Sequence, residues 1–213
     1  LPDGAGGVFV QGGTLGNLSA LVVARDVAER KHGHKTWAII CSSEAHSSIK
    51  AVAKVMGVEV VKADAAVTGS LRGQQAKQAV HQAIESGLTP FAIVGTGGTT
   101  NFGIIDQLGD LALVAKEFDL WFHVDGAYGL AGMLVEELKP KYAGLELADS
   151  FIVDPHKWLF SPFDACALVY REPKLAKTAH IQHGEYLETL NQNDDWNPFD
   201  FAFNLTRRVR GLP

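Results

Sequence analysis

Cysteine is scarce in this chain. Cys41 and Cys166 are the two present, and both sit inside apolar segments. Thiols so placed read as small core hydrophobes of a reducing compartment, with the cytoplasm as the expected location, and not as halves of a disulfide framework. No apolar run approaches the length of a membrane span, and nothing at the start has the pattern of a secretory leader. A basic excess is missing too: 19 Lys and Arg stand against 24 Asp and Glu, a net charge of −5. That balance argues against a protein that lives on nucleic acid. The one basic cluster, at residues 207–210, reads as a solvated helix face. There is no internal repeat, no low-complexity tract and no initiator methionine. The first and last residues read as the ends of a fragment or a processed piece.

What is present is ordinary for a globular domain. Of 213 residues, 46% are hydrophobic and 20% charged, enough for one well-buried core. The dominant rhythm is strand, turn, helix. Apolar runs at 7–11, 36–42, 58–63, 90–96, 119–125, 149–154 and 165–170 read as strands. Between them, stripes of helical period mark helices: Ala20, Val23, Ala24 and Val27; Ile49, Val52, Ala53 and Met56, with Gly57 placed to stop them; residues 71–86 ended by Gly87; and Leu108, Leu111, Ala112 and Ala115. The run at 165–170 follows closely enough to pair with its predecessor as a hairpin-like return. Strands apolar on both faces predict an α/β fold with a mostly parallel sheet covered by helices on both faces. The expected organisation is a ligand-binding large domain over 1–177, a polar, loop-like stretch over 178–200 expected to be a mobile catalytic loop, and the start of a truncated helix over 201–213.

In such sheets ligands gather at the carboxyl ends of the strands, and chemistry is concentrated there. Gly12-Gly13-Thr14 follows the first strand and opens a helix, where free N–H groups favour an anion; Thr14 acting only as a helix cap is the plainer alternative. A nicotinamide dinucleotide site on a Rossmann-type βαβ unit, with Glu44 near the end of the second strand, is a second alternative, although Gln11 stands where that fingerprint has its first glycine. His46 could stack on a flat ligand or be a structural imidazole. The run Thr96–Thr100 combines glycines with hydroxyls. Asp125, if buried beside a cation, would stay ionised; otherwise it is a turn or cap residue. Lys157 lies between two core strands, where an ammonium is costly to bury. It either snorkels to water or is used as a nucleophilic amine. An anion cradle, a flat-ring platform, a carboxylate for a ring nitrogen and an amine for an aldehyde together describe pyridoxal 5'-phosphate.

Five motifs, GGTxxNL, EAHSS, GTTNxGxID, HVDGAYG and ADSFIVDPHKW, occur here in that order, and they resemble the pyridoxal-phosphate-dependent group II amino-acid decarboxylases, among them the aromatic-amino-acid, glutamate, histidine and diaminobutyrate enzymes. The resemblance runs from about residue 7 to the end. It implies the large domain of the fold-type I, aspartate-aminotransferase-like architecture, an amino-acid substrate, no metal, and a homodimer with its site at the interface. It implies that Lys157 carries the cofactor as an aldimine and that Asp125 partners the pyridine nitrogen. His46 is implied to stack over the ring and Ala127 to pack on its other face. Gly13 and Thr14 match the phosphate loop, Thr99 a threonine near the cofactor, and His156 the histidine beside the lysine. Tyr186 falls where the family has a mobile-loop tyrosine thought to protonate the substrate carbon. Many members carry Asn where this chain has Asp154; an anion there would repel phosphate, so Asp154 is expected to point elsewhere or to be hydrogen-bonded.

The implied reaction is decarboxylation of an L-amino acid to its amine and carbon dioxide. His46 and Tyr186 together favour that outcome over aldehyde formation. Family members are much longer, so a truncated, inactive domain is a further alternative beside the nicotinamide oxidoreductase.

Overall fold

The computed structural model describes residues 2–182 and 196–206. Tyr186 and the basic cluster at 207–210 lie outside the described residues. Seven strands form one sheet: β1 (Gly6–Val10), β2 (Trp37–Ser42), β3 (Glu59–Ala63), β4 (Thr89–Thr96), β5 (Trp121–Asp125), β6 (Ser150–Val153) and β7 (Cys166–Tyr170). Their order is β1-β7-β6-β5-β4-β2-β3. β7 is antiparallel to both of its neighbours, β1 and β6, whereas the other pairs are parallel. Six strands therefore run the same way and deliver their carboxyl ends to one edge.

The helices are α1 (Gly13–His32), α2 (Ser48–Met56), α3 (Gly73–Glu85), α4 (Leu108–Glu117) and α5 (Pro173–His180). Side-chain alternation along the strands sorts the core into two layers. Ile39, Cys41, Ala92, Val94 and Trp121 join the cluster under α1, α2 and α5. Ile40, Ile93, Phe122 and Val124 join the cluster under α3 and α4. Continuous apolar strands are what a sheet covered on both faces needs, so the expected α/β architecture is present. Gly57 ends α2 in the left-handed conformation, with its N–H on Ala53 and Lys54 carbonyls, as its place after the stripe predicts.

One boundary differs. The expected division between 177 and 178 falls inside α5, which continues to His180. Pro173 at its first turn favours helix initiation, and both Ala176 and His180 are buried. The short 3-10 turn Pro198–Phe201 packs back onto the same region, with Phe199, Phe201 and Ala202 buried. The described part of 178–200 is therefore tied to the large domain.

Asp106, the last residue of the GTTNxGxID motif, fixes the end of β4. It is buried and accepts from the backbone N–H of Leu71 through Oδ1 and of Thr96 through Oδ2, both at 2.7 Å. Desolvation pushes its pKa from an ordinary 3.8 up to about 6, opposed by those two backbone bonds. A carboxyl that holds its proton more tightly when folded adds stability that is full below about pH 4 and is lost as pH rises through about 6. That difference is worth about 3 kcal/mol. Unfolding free energies should accordingly shift in favour of Asp106→Asn, relative to the parent, between about pH 4 and pH 7. A gap between the two that stays constant with pH would refute the assignment.

Candidate active site

Four strand tips and two helix starts converge on one cleft, lined by Gly13, Thr14, Asn17, His46, Ser48, Thr96, Gly98, Thr100, Asp125, Ala127, Tyr128 and Lys157. A larger hollow lies between α2 and β3, and only His46 is common to both. The smaller cleft is where the polar groups meet, so it is the candidate.

Gly12 caps α1 without any side-chain hydrogen bond, which leaves the N–H groups of the first turn free of a side-chain cap. Thr14 is exposed and does not act as the cap. At Gly13 a Cβ would come within 3.0 Å of the Ala127 Cβ and 3.3 Å of Asp154 Oδ2, so this position lets the helix start sit tight against the tips of β5 and β6.

Asp125 ends β5 and is 7% exposed. Its Oδ2 accepts from Asn17 Nδ2 at 2.9 Å and its Oδ1 from Ala127 N–H at 3.1 Å. Burial pushes its pKa up, opposed first by the Asn17 and Ala127 hydrogen bonds and then by the charges of His46 and Lys157. Among the described residues no cationic side chain forms an ion pair with it. A carboxylate this deep, satisfied only by neutral donors, suits a site that receives a positive charge.

Lys157 neither snorkels freely to water nor lies buried. Its side chain is 34% exposed, and its Nζ sits 3.0 Å from Asp154 Oδ2. Asp154 itself is 2% exposed and has His156 Nε2 at 3.6 Å. Its Oδ1 makes no hydrogen bond of ordinary geometry, although the Cys166 thiol faces the same carboxylate. The expectation that Asp154 is engaged within the protein fits this arrangement, with Lys157 as the partner.

Two expected residues sit differently. Thr99 is 3% exposed, and its Oγ1 accepts from the Ile104 N–H at 3.1 Å, so it braces the loop from inside while Thr96 and Thr100 line the cleft. The reason is Gly98, whose φ of +119° turns the chain; a Cβ there would meet the Gly129 Cα at 2.7 Å. His156 lies behind the cleft wall. Its Nδ1 contacts the Ala165 backbone, 2.6 Å from the carbonyl oxygen and 3.0 Å from the nitrogen, and its ring meets Phe163 edge-on. It supports Asp154 and does not line the cleft. Gly13, Thr14, His46, Asp125, Ala127 and Lys157 are brought together.

A buried network missing from the sequence reading runs from the cleft wall at Asn17 and Ser48 into the core. Asn17 Nδ2 also donates to Ser48 Oγ at 3.0 Å, and Ser48 Oγ is 2.9 Å from His46 Nδ1. His123 Nε2 is 2.9 Å from Asn17 Oδ1, and its Nδ1 is 2.8 Å from Ser150 Oγ. Trp121 Nε1 donates to the same Ser150 hydroxyl at 2.8 Å. Strand alternation carried a signal for this: from Asp125, a period of two puts His123 and Trp121 on the same face.

Residues 1–212 match the pyridoxal-dependent decarboxylase conserved domain. The chain belongs to that family. It is 33% identical over 217 residues to an aromatic-L-amino-acid decarboxylase of Bacillus atrophaeus, covering 99% of this chain and 45% of that protein. It is 32% identical over 219 residues to a 4-hydroxyphenylacetaldehyde synthase of Rhodiola rosea, covering 99% of this chain and 44% of that protein. The fold superposes on the crystal structure of Oryza sativa TDC with PLP and tryptamine at a TM-score of 0.91 and 27% identity, over 98% of this chain and 45% of that one. The chain thus spans less than half the length of these relatives. The family sets aside the nicotinamide reading. Among the described residues no helix is long and apolar enough to cross a membrane.

Proposed function

We propose that the protein containing this chain decarboxylates an L-amino acid to its amine, and that this cleft holds pyridoxal 5'-phosphate. The observation that carries the reading is Asp125: a buried carboxylate with no cation paired to it among the described residues, opening on the cleft that Lys157 and His46 share. The residues fit the cofactor on three further counts. The start of α1 at Gly13 and Thr14 has no side-chain cap and suits a phosphate. His46 offers a flat ring, with Ala127 as the small opposing residue. Lys157 offers an amine at the cleft wall. When bound, the cofactor supplies an electron sink for the carbon that loses carbon dioxide.

The chain's own residues then have separate tasks. Asp125 keeps a positive charge on the ring nitrogen favourable. Thr96 and Thr100 supply hydroxyls along the wall, in place of Thr99. Asp154 holds the ammonium of Lys157 at the cleft, and His156 backs Asp154. Tyr186, outside the described residues, is assigned the proton donor to the substrate carbon, with amine as the product and not aldehyde. Aromatic L-amino acids are the first substrate class to test, because relatives named for them align over almost the whole chain. A homodimer is the proposed assembly, and the exposed apolar side chains Trp158, Leu159, Phe160 and Phe163 beside Lys157 support it. A reducing compartment such as the cytoplasm suits the two buried, unpaired thiols.

The test is direct. Purified full-length protein, supplied with pyridoxal 5'-phosphate and a panel of L-amino acids, should release carbon dioxide and the matching amine from at least one aromatic member. Release from acidic or aliphatic members alone refutes the aromatic assignment, and release from none refutes the activity.

A further inference from the structure

The network behind Asp125 has one self-consistent direction. Trp121 Nε1 can only donate, so Ser150 Oγ accepts from it. Asn17 presents its amide nitrogen to Asp125 Oδ2 and to Ser48 Oγ. The opposite amide orientation would set an oxygen 2.9 Å from a carboxylate oxygen. With the amide nitrogen so committed, Asn17 Oδ1 must accept from His123, which places the hydrogen of that ring on Nε2. His123 Nδ1 is then an acceptor for the Ser150 hydroxyl hydrogen. At the other end, His46 Nδ1 accepts from the Ser48 N–H at 3.2 Å and lies within hydrogen-bond reach of the Ser48 hydroxyl. His46 therefore carries its hydrogen on Nε2 as well.

His123 is 0% exposed and does not line the cleft. Desolvation holds its pKa down at about 3, so the ring stays neutral. Alternation along β5 puts it on the α1 face beside Asp125, and the register pairs it with Ser150 on β6.

We propose that His123 is a positioning residue: it fixes the Asn17 amide so that one side chain simultaneously donates to Asp125 and, through the Ser48 hydroxyl, supports the Nε2–H form of His46 that the Ser48 N–H already favours. Two cleft residues that work on opposite aspects of the bound ring, its nitrogen and its face, are thereby locked by a single buried amide. The inference rests on the cofactor reading for its consequence, but not for its geometry.

The test has one arm for each part. In full-length protein free of cofactor and labelled with nitrogen-15 in histidine, the ring resonances should report Nε2–H forms for both His123 and His46. His123 should not titrate between about pH 5 and 8. Pyridoxal 5'-phosphate binding, followed by its absorbance, should weaken about tenfold in His123→Leu, which fills the space but leaves Asn17 Oδ1 without a donor. It should return to within about threefold of the parent in His123→Gln, whose amide can donate to the same oxygen. A role in packing alone predicts the reverse order, since Leu suits an apolar layer better than Gln. Parent-like binding in folded His123→Leu, equal losses in both variants, or an Nδ1–H form of His123 overturns the proposal. Should His123→Leu fail to fold, the nitrogen-15 spectrum and His123→Gln decide. A parent protein that binds no pyridoxal phosphate, yet shows both Nε2–H rings, sinks the cofactor reading and leaves the network standing.

Discussion

Asp125→Asn in the full-length protein is expected to lower the rate of amine formation by about a thousandfold or more, equivalent to about 4 kcal/mol in the barrier. The side chain keeps its size, and its carbonyl oxygen can still accept from the Ala127 N–H. What it loses is the hydrogen bond from Asn17 Nδ2, which its amide nitrogen cannot accept, and the charge that favours a protonated ring nitrogen, without which the cofactor is a poor electron sink. Cofactor capture should persist, because Lys157 and the start of α1 are untouched. The same substitution has a second signature. Burial raises the pKa of Asp125, so in the cofactor-free parent the folded state binds this proton more tightly than the unfolded state. The contribution is full below the ordinary aspartate range and is lost as pH rises above it. Thermal stability of the cofactor-free protein should therefore shift in favour of Asp125→Asn as pH rises from about 4 toward neutrality. Activity within a few-fold of the parent would remove Asp125 from the mechanism, whatever the stability curves show.

These expectations lean on residues that differed in how legible they were. The sheet edge could be read, because apolar runs of strand length alternating with helical stripes allow few topologies, and in such topologies ligands meet the carboxyl ends. Asp125 ends a strand, and His46 and Lys157 each lie four residues past one, so their placement came with the fold. The choice between Thr99 and Thr100 was not available: adjacent residues point in opposite directions, and the phase of the turn depends on Gly98 adopting φ +119° against Gly129. His123 carried a weak signal through its spacing of two from Asp125. Its role required the β5–β6 register and the placement of Asn17 over both, which are tertiary facts. The helix Pro173–His180 that crosses residue 177 was not legible, because it is a single polar helix without a long apolar stripe; its buried face consists of Ala176 and His180. Asp154 was half legible. That an anion at this place would turn from a phosphate or be hydrogen-bonded followed from charge alone, whereas the identity of its partner, Lys157, needed the turn that brings the Lys157 N–H to the Asp154 carbonyl at 3.0 Å.

That pairing decides how Lys157 should be tested. Lys157→Ala removes the amine available to the cofactor aldehyde, and it also strands a carboxylate that is 2% exposed. Removing one partner of a buried pair destabilises a fold independently of any chemistry, so loss of activity in that variant alone would be ambiguous. Lys157→Arg separates the two effects. Its guanidinium can still face Asp154, but it stays protonated and is no nucleophile. Both variants should lose the visible absorption that pyridoxal 5'-phosphate gains on the parent, and both should lose amine formation by about a thousandfold or more. Only Lys157→Ala should also lower the melting temperature of the cofactor-free protein. Borohydride treatment should fix the cofactor to the parent at position 157 and leave both variants unlabelled. A variant that keeps the visible band and the borohydride label would show that another amine holds the cofactor, and the functional reading of this cleft would fall with it.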